Sequence, residues 1–368
     1  MAPVILALKR AAWVEVRVLA TAQHRGLLDR ALADFGIVPD LDLDSMQPDQ
    51  TLAELTARLM TRVDEVLDRE RPSFVLAQGD TTTVLVTALC CFYRNIGFGH
   101  VEAGLRTHQP REPFPEEMNR VFASYLATMH FSPTETARRN LVVEGVASNR
   151  IHLTGNTVID ALRYQLALAP PGDLPLAPGL RTLLVTAHRR ESFGAPMEEV
   201  CAALVEIVLR YPDVQVLFSL HPNPCSGGLV RQRLAGLDRI ILVDALDYQH
   251  FVAAMRDCYL ILTDSGGVQE EAPALGRPVL VLRDRTERPE AIDAGVAKLV
   301  GSDRNAIIRE VSALLDDAGQ YARMARGGSP YGDGNAAPRI VDILQKYLAP
   351  RIPDASTSKS DPRRGADQ

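Results

Sequence analysis

The stretch SFVLAQGDTTTVLVTALCCFYRNIGFGHVEAG, residues 73–104, indicates the fold class. It contains two strand-like apolar runs, SFVLAQGD (73–80) and FGHVEAG (98–104), on either side of a segment with helical period. Runs that are apolar at nearly every position are typical of parallel strands that are buried on both faces. A strand, a helix and a second strand in succession therefore predict a βαβ unit within a parallel sheet.

The same alternation continues along the chain on both sides of this unit. Helix-like segments occur at 1–10, 26–36 and 51–70, and further strand-like runs occur at 13–21, 129–134, 151–156, 182–189, 214–222, 239–246, 259–265 and 277–283. We therefore predict an α/β protein with two Rossmann-like, doubly wound halves.

The clearest internal boundary is the loop LAPPGDLPLAPGL (168–180), which holds four prolines and two glycines. It predicts an N-terminal domain at 1–167 and a C-terminal domain at 168–348. The last helix, at about 335–348, can belong to either half. Residues 351–368 lack apolar period and are rich in Ser, Asp, Arg and Pro, so we expect a disordered tail.

Composition and charge exclude several classes of protein. The 368 residues carry 40 Lys and Arg against 46 Asp and Glu, a formal net charge of −6, which argues against a nucleic-acid binder. No apolar run reaches the roughly 18–20 residues of a membrane helix, and the N-terminus is the reverse of a secretory signal. The five cysteines are odd in number and show no CxxC spacing. We expect a cytoplasmic protein with reduced thiols, no membrane association and no zinc site.

Polar side chains follow the predicted strands of the first half, where an open α/β sheet binds its ligands. Asp80 ends one strand, Glu102 ends the next, and Glu116 begins a helix further along. Three carboxylates in one crevice suit general acid–base chemistry. Asp80 or Glu116 taken alone is more often a helix-capping residue. Their grouping with three nearby polar residues favours the catalytic interpretation: His100, Arg106 and Arg120.

The second half presents an anion site of the same kind. Ser265, Gly266 and Gly267 follow a strand and begin a helix, where exposed N–H groups and the helix dipole favour a phosphate. Glu271, one helical turn along, suits the hydroxyl groups of a ribose. Cations for a diphosphate follow the next strand at Arg283, Arg285 and Arg288. The histidines show no metal-binding spacing, and no GxxxxGK[ST] or GxGxxG motif occurs, so we expect no metal and no cofactor.

An ordered set of motifs resembles the non-hydrolysing UDP-N-acetylglucosamine 2-epimerase family. The matching stretches are TAQHR (21–25), QGDTTT (78–83), GHVEAGLRT (99–107), PFPEEMNR (113–120), FSPTETARRNL (131–141), TGNTVIDAL (154–162), TAHRRESFG (186–194), HPNP (221–224), TDSGGVQEEAPALGRPVLVLRDRTERPEA (263–291) and PYGDG (330–334). The resemblance implies the two-domain glycosyltransferase-B fold. It also implies interconversion of UDP-GlcNAc and UDP-ManNAc by elimination of UDP to 2-acetamidoglucal and re-addition, which supplies ManNAc units for cell-surface polysaccharide.

The resemblance also implies residue roles and an assembly state. It assigns acid–base chemistry to Asp80, Glu102 and Glu116, places His188 near the diphosphate and gives Arg120 to the substrate site. It further implies that Phe251 packs on uracil, Ser265 to Gly267 hold phosphate, Glu271 binds the ribose, and Arg288 binds the diphosphate or the sugar. Gln23, Gln47 and His221 are candidates for a regulatory site. The expected partners are the two sugar nucleotides and a second copy of the chain.

One departure from the family pattern leaves alternatives open. The family begins with a strand and a GTRPEAIK-like turn immediately before MAPV, and the sequence here starts at that Met. The resemblance thus implies an N-terminal domain without its first strand and without part of its anion site. The alternatives are a sugar-nucleotide-binding protein with impaired or no activity, a hydrolysing epimerase, and a glycosyltransferase of the same fold.

Overall fold

The computed structural model describes residues 1–21, 25–47, 50–168, 174–187, 194–220, 224–286, 288–326 and 328–349. Its described strands form three parallel sheets with helices between the strands, in agreement with the predicted α/β class. The expected disordered tail at 351–368 lies outside the described residues.

The strands of the first half form two separate parallel sheets. Their bounds are β1 (Leu19–Ala20), β2 (Leu41–Asp42), β3 (Phe74–Gln78), β4 (Gly97–Val101), β5 (Met129–Ser132) and β6 (Ile151–Leu153). The larger sheet has the order β3-β4-β5-β6, while β1 pairs with β2. Within the described ranges, no strand pairs with the outer edge of β3.

The second half forms one six-stranded parallel sheet. Its strands are β7 (Arg181–Thr186), β8 (Val214–Ser219), β9 (Ile240–Val243), β10 (Leu260–Thr263), β11 (Val279–Val281) and β12 (Ala297–Leu299). The order β12-β11-β10-β7-β8-β9 places β7 beside both β8 and β10. The chain therefore winds outward from β7 in both directions, as in a doubly wound fold.

Helices connect these strands and cover the sheets. Those of the first half are α1 (Ala2–Lys9), α2 (Arg25–Ala33), α3 (Leu52–Glu70), α4 (Thr82–Tyr93), α5 (Glu116–Leu126), α6 (Glu135–Val143) and α7 (Thr157–Leu168). Those that follow are α8 (Ala195–Arg210), α9 (Pro224–Leu234), α10 (Tyr248–Asp257), α11 (Gly266–Ala274), α12 (Pro289–Asp293), α13 (Arg304–Asp316), α14 (Ala318–Met324) and α15 (Ala336–Leu348).

The predicted strand at 13–21 is much shorter in the structure. Only Leu19 and Ala20 have ladder partners, namely Leu41 and Asp42 of β2. The amide of Val18 donates instead to the Asp40 carboxylate at 2.7 Å. At the start of this run, the apolar side chains do not continue a ladder. They pack against α1, α15 and the strand β3, and they belong to Trp13, Val14 and Val16.

The last helix packs on the first half of the chain. Ile340 and Leu344 of α15 are buried with Val4 of α1 and with Val101 and Phe131 of the first sheet. In the opposite sense, α7 packs on the second half, where its buried side chains join a cluster with strands β7 and β10. The two halves thus exchange helices.

Two general properties follow from the described parts of the chain. No helix there is long and apolar enough to cross a membrane. The described cysteine thiols are free and buried, namely Cys90, Cys91, Cys201 and Cys258.

Candidate active site

Asp80 lies in the turn between β3 and α4 and is fixed by two contacts from α5. Arg120 Nη2 donates to its Oδ2 at 2.6 Å, and Asn119 Nδ2 donates to its main-chain oxygen at 2.9 Å, both from α5. Thr81, not Asp80, is the N-cap of α4. The helix-capping alternative for Asp80 is therefore wrong. Its carboxylate instead forms an ion pair with the buried guanidinium of Arg120.

A neutral histidine, His100, supports the turn that carries Asp80. Gly79 has a φ of +84°, a conformation that suits glycine, and its carbonyl oxygen lies 2.7 Å from His100 Nε2. This histidine is 0% exposed, and burial lowers its pKa to about 4. The neutral ring therefore donates from Nε2 to the carbonyl, which makes His100 a support for the turn.

Glu102 follows β4 and lies next to the end of β3. Its backbone adopts a φ of +66°, and Gln78 Nε2 donates to its Oε2 at 3.3 Å. Burial raises the pKa of Glu102; the hydrogen bond from Gln78 and the charge of Arg288 oppose this rise, whereas the charge of Asp80 adds to it. A carboxyl group in such surroundings can hold a proton closer to neutral pH than an exposed one.

Helix α5 carries two adjacent glutamates with different surroundings. Glu117 is buried and accepts hydrogen bonds from the amides of Thr107 and His108 at 3.0–3.1 Å. Glu116, by contrast, is half-buried, and its carboxylate bonds to none of the other described residues. Because residues three and four apart share a helix face, Glu116 lies on the same face as Asn119 and Arg120, which hold Asp80.

Arg106, whose motif groups it with the catalytic candidates, contacts other residues in the structure. Its guanidinium forms two hydrogen bonds of 2.7 Å with the Glu144 carboxylate and donates to Ser124 Oγ at 2.9 Å. The side chain is 1% exposed. The expectation that Arg106 supports a catalytic assignment for the neighbouring carboxylates is therefore wrong.

In the second half, the Ser265–Gly267 segment follows β10 and begins α11, as expected. Ser265 is the N-cap, its amide donates to Thr263 Oγ1 at 2.9 Å, and its side chain makes no capping bond. A Cβ added at Gly267 would have no heavy atom within 4 Å. The first turn of α11 thus offers backbone N–H groups that an anion can approach.

Glu271 and Phe251 lie on two packed helices, α11 and α10. Glu271 is 6% exposed and accepts a hydrogen bond of 2.5 Å from the hydroxyl of Tyr248. Burial raises the pKa of this carboxyl to about 7, and the Tyr248 bond opposes the rise. Phe251 is half-buried and lies three residues from Tyr248, on the same face of α10.

The predicted arginines after β11 separate into two environments. Arg288 Nε donates to Glu270 Oε1 at 2.5 Å, and its charge lowers the pKa of Glu102 in the first half. Arg283 and Arg285 instead line a cleft of about 370 Å³ that is also lined by Glu112. Both environments lie where the two halves meet.

The predicted regulatory residues are mostly beyond what the structure describes. Gln23 and His221 lie outside the described residues, as does the predicted catalytic residue His188. Gln47 precedes α3, and its side-chain oxygen accepts a hydrogen bond of 2.6 Å from Arg58 Nη2.

Four buried or half-buried side chains were missed as site residues although all lie within recognisable motifs. They are Gln78, Asn119, Asn156 and Glu270. Each contacts a predicted site residue or a partner of one. Their position in the motifs QGDTTT, PFPEEMNR, TGNTVIDAL and SGGVQEE could have indicated them. Spacing along the chain, however, does not show which polar residue of one motif contacts which residue of another. In the described part of the chain, no group of three or more His, Cys, Asp or Glu side chains could hold a metal ion.

Comparison with known proteins identifies the family. The sequence profile of the UDP-N-acetylglucosamine 2-epimerase family matches residues 6–345. The UDP-N-acetylglucosamine 2-epimerase of Escherichia coli K12 is 48% identical over 358 residues, which covers 94% of each chain. The chain belongs to the UDP-N-acetylglucosamine 2-epimerase family. A second such epimerase, from Yersinia pestis, is 49% identical over 357 residues, 94% of this chain and 95% of that one.

A solved structure of this epimerase family supports the same assignment. The UDP-GlcNAc 2-epimerase of Neisseria meningitidis, bound to UDP-GlcNAc, superposes with a TM-score of 0.86 at 41% identity and covers 94% of this chain and 96% of that one. The predicted glycosyltransferase-B arrangement of two Rossmann-like halves is therefore confirmed. The family match includes every segment described above as part of the candidate site.

Proposed function

We propose that the chain is an isomerase that interconverts UDP-GlcNAc and UDP-ManNAc by elimination of UDP to 2-acetamidoglucal, followed by re-addition. The main support is the 48% identity to a UDP-GlcNAc 2-epimerase over 94% of both chains. The arrangement of Asp80 and Glu102 at the ends of adjacent parallel strands supports the same reaction, because inversion at C2 needs acid–base groups.

The proposed chemistry divides between the carboxylates. Asp80, which is paired with Arg120, acts as a charged group beside the sugar, and Glu102, whose pKa burial raises, holds and returns a proton. Glu116 projects from the helix face that fixes Asp80 and is the third acid–base group. Proton removal from C2 then accompanies loss of UDP from C1, and return of a proton to the other face of C2, with re-addition of the UDP oxygen to C1, gives the epimer.

The proposed binding of the nucleotide uses the second half of the chain. The first turn of α11 holds the phosphates through Ser265, Gly266 and Gly267, while Glu271 binds the ribose hydroxyls. Phe251 packs on the uracil ring, and Arg288 stabilises the diphosphate as it leaves. His188 adds a group near the diphosphate, and Gln23, Gln47 and His221 remain proposed regulatory residues. No cofactor takes part.

The proposed domain division is 1–167 and 168–348, with α15 added to the first domain by its packing on α1. We further propose that the enzyme works in the cytoplasm and supplies ManNAc units for cell-surface polysaccharide. Support for both comes from the nature of the sugar-nucleotide substrate.

A proposed homodimer uses the outer faces of α4 and α5. Phe92 and Tyr93 are 63% and 66% exposed at the end of α4, and Phe122 and Tyr125 are 48% and 67% exposed on α5. Both helices precede neighbouring strands of one parallel sheet, so their C-terminal ends lie at the same sheet edge. Exposed aromatic groups of this kind favour a protein interface.

The proposed interface is tested by sedimentation equilibrium of two variants. Tyr125→Glu combined with Phe122→Glu should give a monomer, whereas Leu209→Glu, at an exposed site on α8, should leave the dimer intact. A dimer that persists in the double variant would contradict this interface.

The reaction is tested by incubation with UDP-GlcNAc in deuterium oxide. We expect deuterium at C2 of the recovered UDP-HexNAc and formation of UDP-ManNAc. Turnover without label would contradict the elimination route. Release of free ManNAc and UDP would indicate a hydrolysing enzyme, and binding of UDP-GlcNAc without any turnover would indicate a binding protein.

A further inference from the structure

Glu270 of α11 is a buried carboxylate where the two halves meet. Its side chain is 5% exposed and accepts two hydrogen bonds from opposite sides of the interface. Arg288 Nε of the second half donates to Oε1 at 2.5 Å, and Asn156 Nδ2, from the turn after β6, donates to Oε2 at 2.7 Å. A buried carboxylate needs such partners because an unpaired one loses its hydration without compensation.

The orientation of the Asn156 amide is determined by its own backbone. Asn156 Oδ1 accepts a hydrogen bond of 3.1 Å from the amide of Val158, so Nδ2 points to Glu270. The main-chain amide of Asn156 donates to the carbonyl of Tyr331 at 2.6 Å. Glu270 is therefore bound by a side-chain amide whose orientation the local backbone determines.

The segment that carries Arg288 is attached to α11 at two successive residues. Thr286 Oγ1 donates to Gln269 Oε1 at 2.6 Å and accepts the amide of Arg288 at 3.1 Å. Glu270, the next residue of α11, accepts the hydrogen bond from the Arg288 guanidinium. The charge of Arg288 acts on Glu102 as well as on Glu270, so the guanidinium lies within electrostatic reach of a carboxylate from each half.

We propose that Glu270 is a positioning residue, which together with Asn156 holds the Arg288 guanidinium where the leaving diphosphate and the Glu102 carboxyl meet. The proposal rests on the epimerase activity proposed above. Glu270 itself does not contact the substrate; it acts through Arg288. Without an acceptor on Nε, a guanidinium on a flexible side chain populates several rotamers, and the preorganised charge for the departing UDP is lost.

The test is a double-mutant cycle between Glu270 and Arg288, measured as kcat and KM for UDP-GlcNAc. Glu270→Ala should lower kcat/KM by about tenfold or more, with a loss in kcat as well as a rise in KM, because a misplaced transition-state cation affects both. In the Arg288→Ala background, the same change should have almost no effect, since the group that it positions is gone. Additive losses would contradict positioning through Arg288.

Conservative and control variants separate positioning from folding. Glu270→Gln keeps a carbonyl acceptor for Arg288 Nε but turns an amide donor toward Asn156 Nδ2, so it should recover part of kcat/KM and not all of it. Glu290→Ala removes a hydrogen bond from Thr134 in the same region and should leave the kinetics near those of the wild type. If Glu270→Ala does not fold, Glu270→Asp is the second variant, because it keeps the charge but shortens the side chain by one methylene. Its loss of kcat/KM should likewise disappear in the Arg288→Ala background.

The two proposals fail in different ways. Absence of epimerisation in the wild-type protein would contradict the proposed function. An active wild type with a Glu270→Ala variant of unchanged kcat/KM would contradict only the positioning role.

Discussion

Adjacent residues of one motif have separate tasks in this molecule. Glu116 and Glu117 share the motif PFPEEMNR, but the helix turns Glu117 toward the loop at Thr107 and His108, where it accepts three hydrogen bonds. Its neighbour projects on the face that carries Asn119 and Arg120. The sequence predicts that carboxylates gather here, whereas the structure pairs Glu117 with the loop amides and, at 3.5 Å, with Arg120. It leaves the Glu116 carboxylate without a partner among the described residues.

Matched amide substitutions distinguish these two glutamates. Glu116→Gln should lower kcat by about 10²–10⁴-fold with an unchanged melting temperature, because it removes an acid–base group and no internal bond. Glu117→Gln should lower the free energy of unfolding by roughly 2 kcal/mol, because an amide presents a donor to backbone donors. Steady-state kinetics and urea unfolding measure both. The assignment would be wrong if Glu116→Gln retained full activity.

At the scale of elements, helices were easier to predict than strands. Helix α3 begins at a capping box, in which Glu54 and Thr51 bond to one another's backbone amides, and buries Leu55, Leu59 and Val63 at helical spacing. These signals are local and lie in the sequence. The strand expected at 13–21 shrank to two residues, because a ladder depends on which distant segment lies alongside.

The burial of the Glu271 carboxyl on α11 makes stability depend on pH. Glu271 has a folded-state pKa of about 7, raised by burial, whereas an unfolded glutamate titrates near 4.3. The folded state therefore binds the extra proton, and this contribution to stability is complete below about pH 4.3 and disappears as pH rises through about 7. Glu271→Gln, which does not titrate, should gain roughly 2–3 kcal/mol of unfolding free energy relative to the wild type between pH 5 and pH 8.

Urea unfolding at the two pH values measures this difference. Glu310→Gln is the control: burial raises the pKa of Glu310, but Lys298 and Arg309 lower it below its ordinary value, so its titration lies below the tested range. A difference between the wild type and Glu271→Gln that stays constant from pH 5 to pH 8 would contradict the pKa assignment.

At the scale of the whole molecule, the last helix returns to the first half of the chain. Ile340 of α15 and Ile307 of α13 are both 0% exposed, but they belong to the cores of different halves. Each Ile→Ala change should cost about 2–5 kcal/mol. We expect Ile340→Ala to speed hydrogen exchange in α1, β4 and β5 and Ile307→Ala to speed it in β7 and β8. Identical exchange patterns would contradict the separate cores.

The sequence by itself determined the fold class, the order of its motifs and the pool of polar residues, because apolar period and motif order are local properties of the chain. It predicts Asp80, Glu102, Arg120, Glu271 and Arg288 as members of a site, and their roles there stay predictions. Only the tertiary structure decided their partners: His100 supports a turn, Arg106 binds Glu144, and Glu270 joins Arg288 to Asn156, which is 114 residues away in the chain. Such contacts form between segments that packing brings together, and hydrogen-bond geometry depends on positions in space that spacing along a chain does not contain.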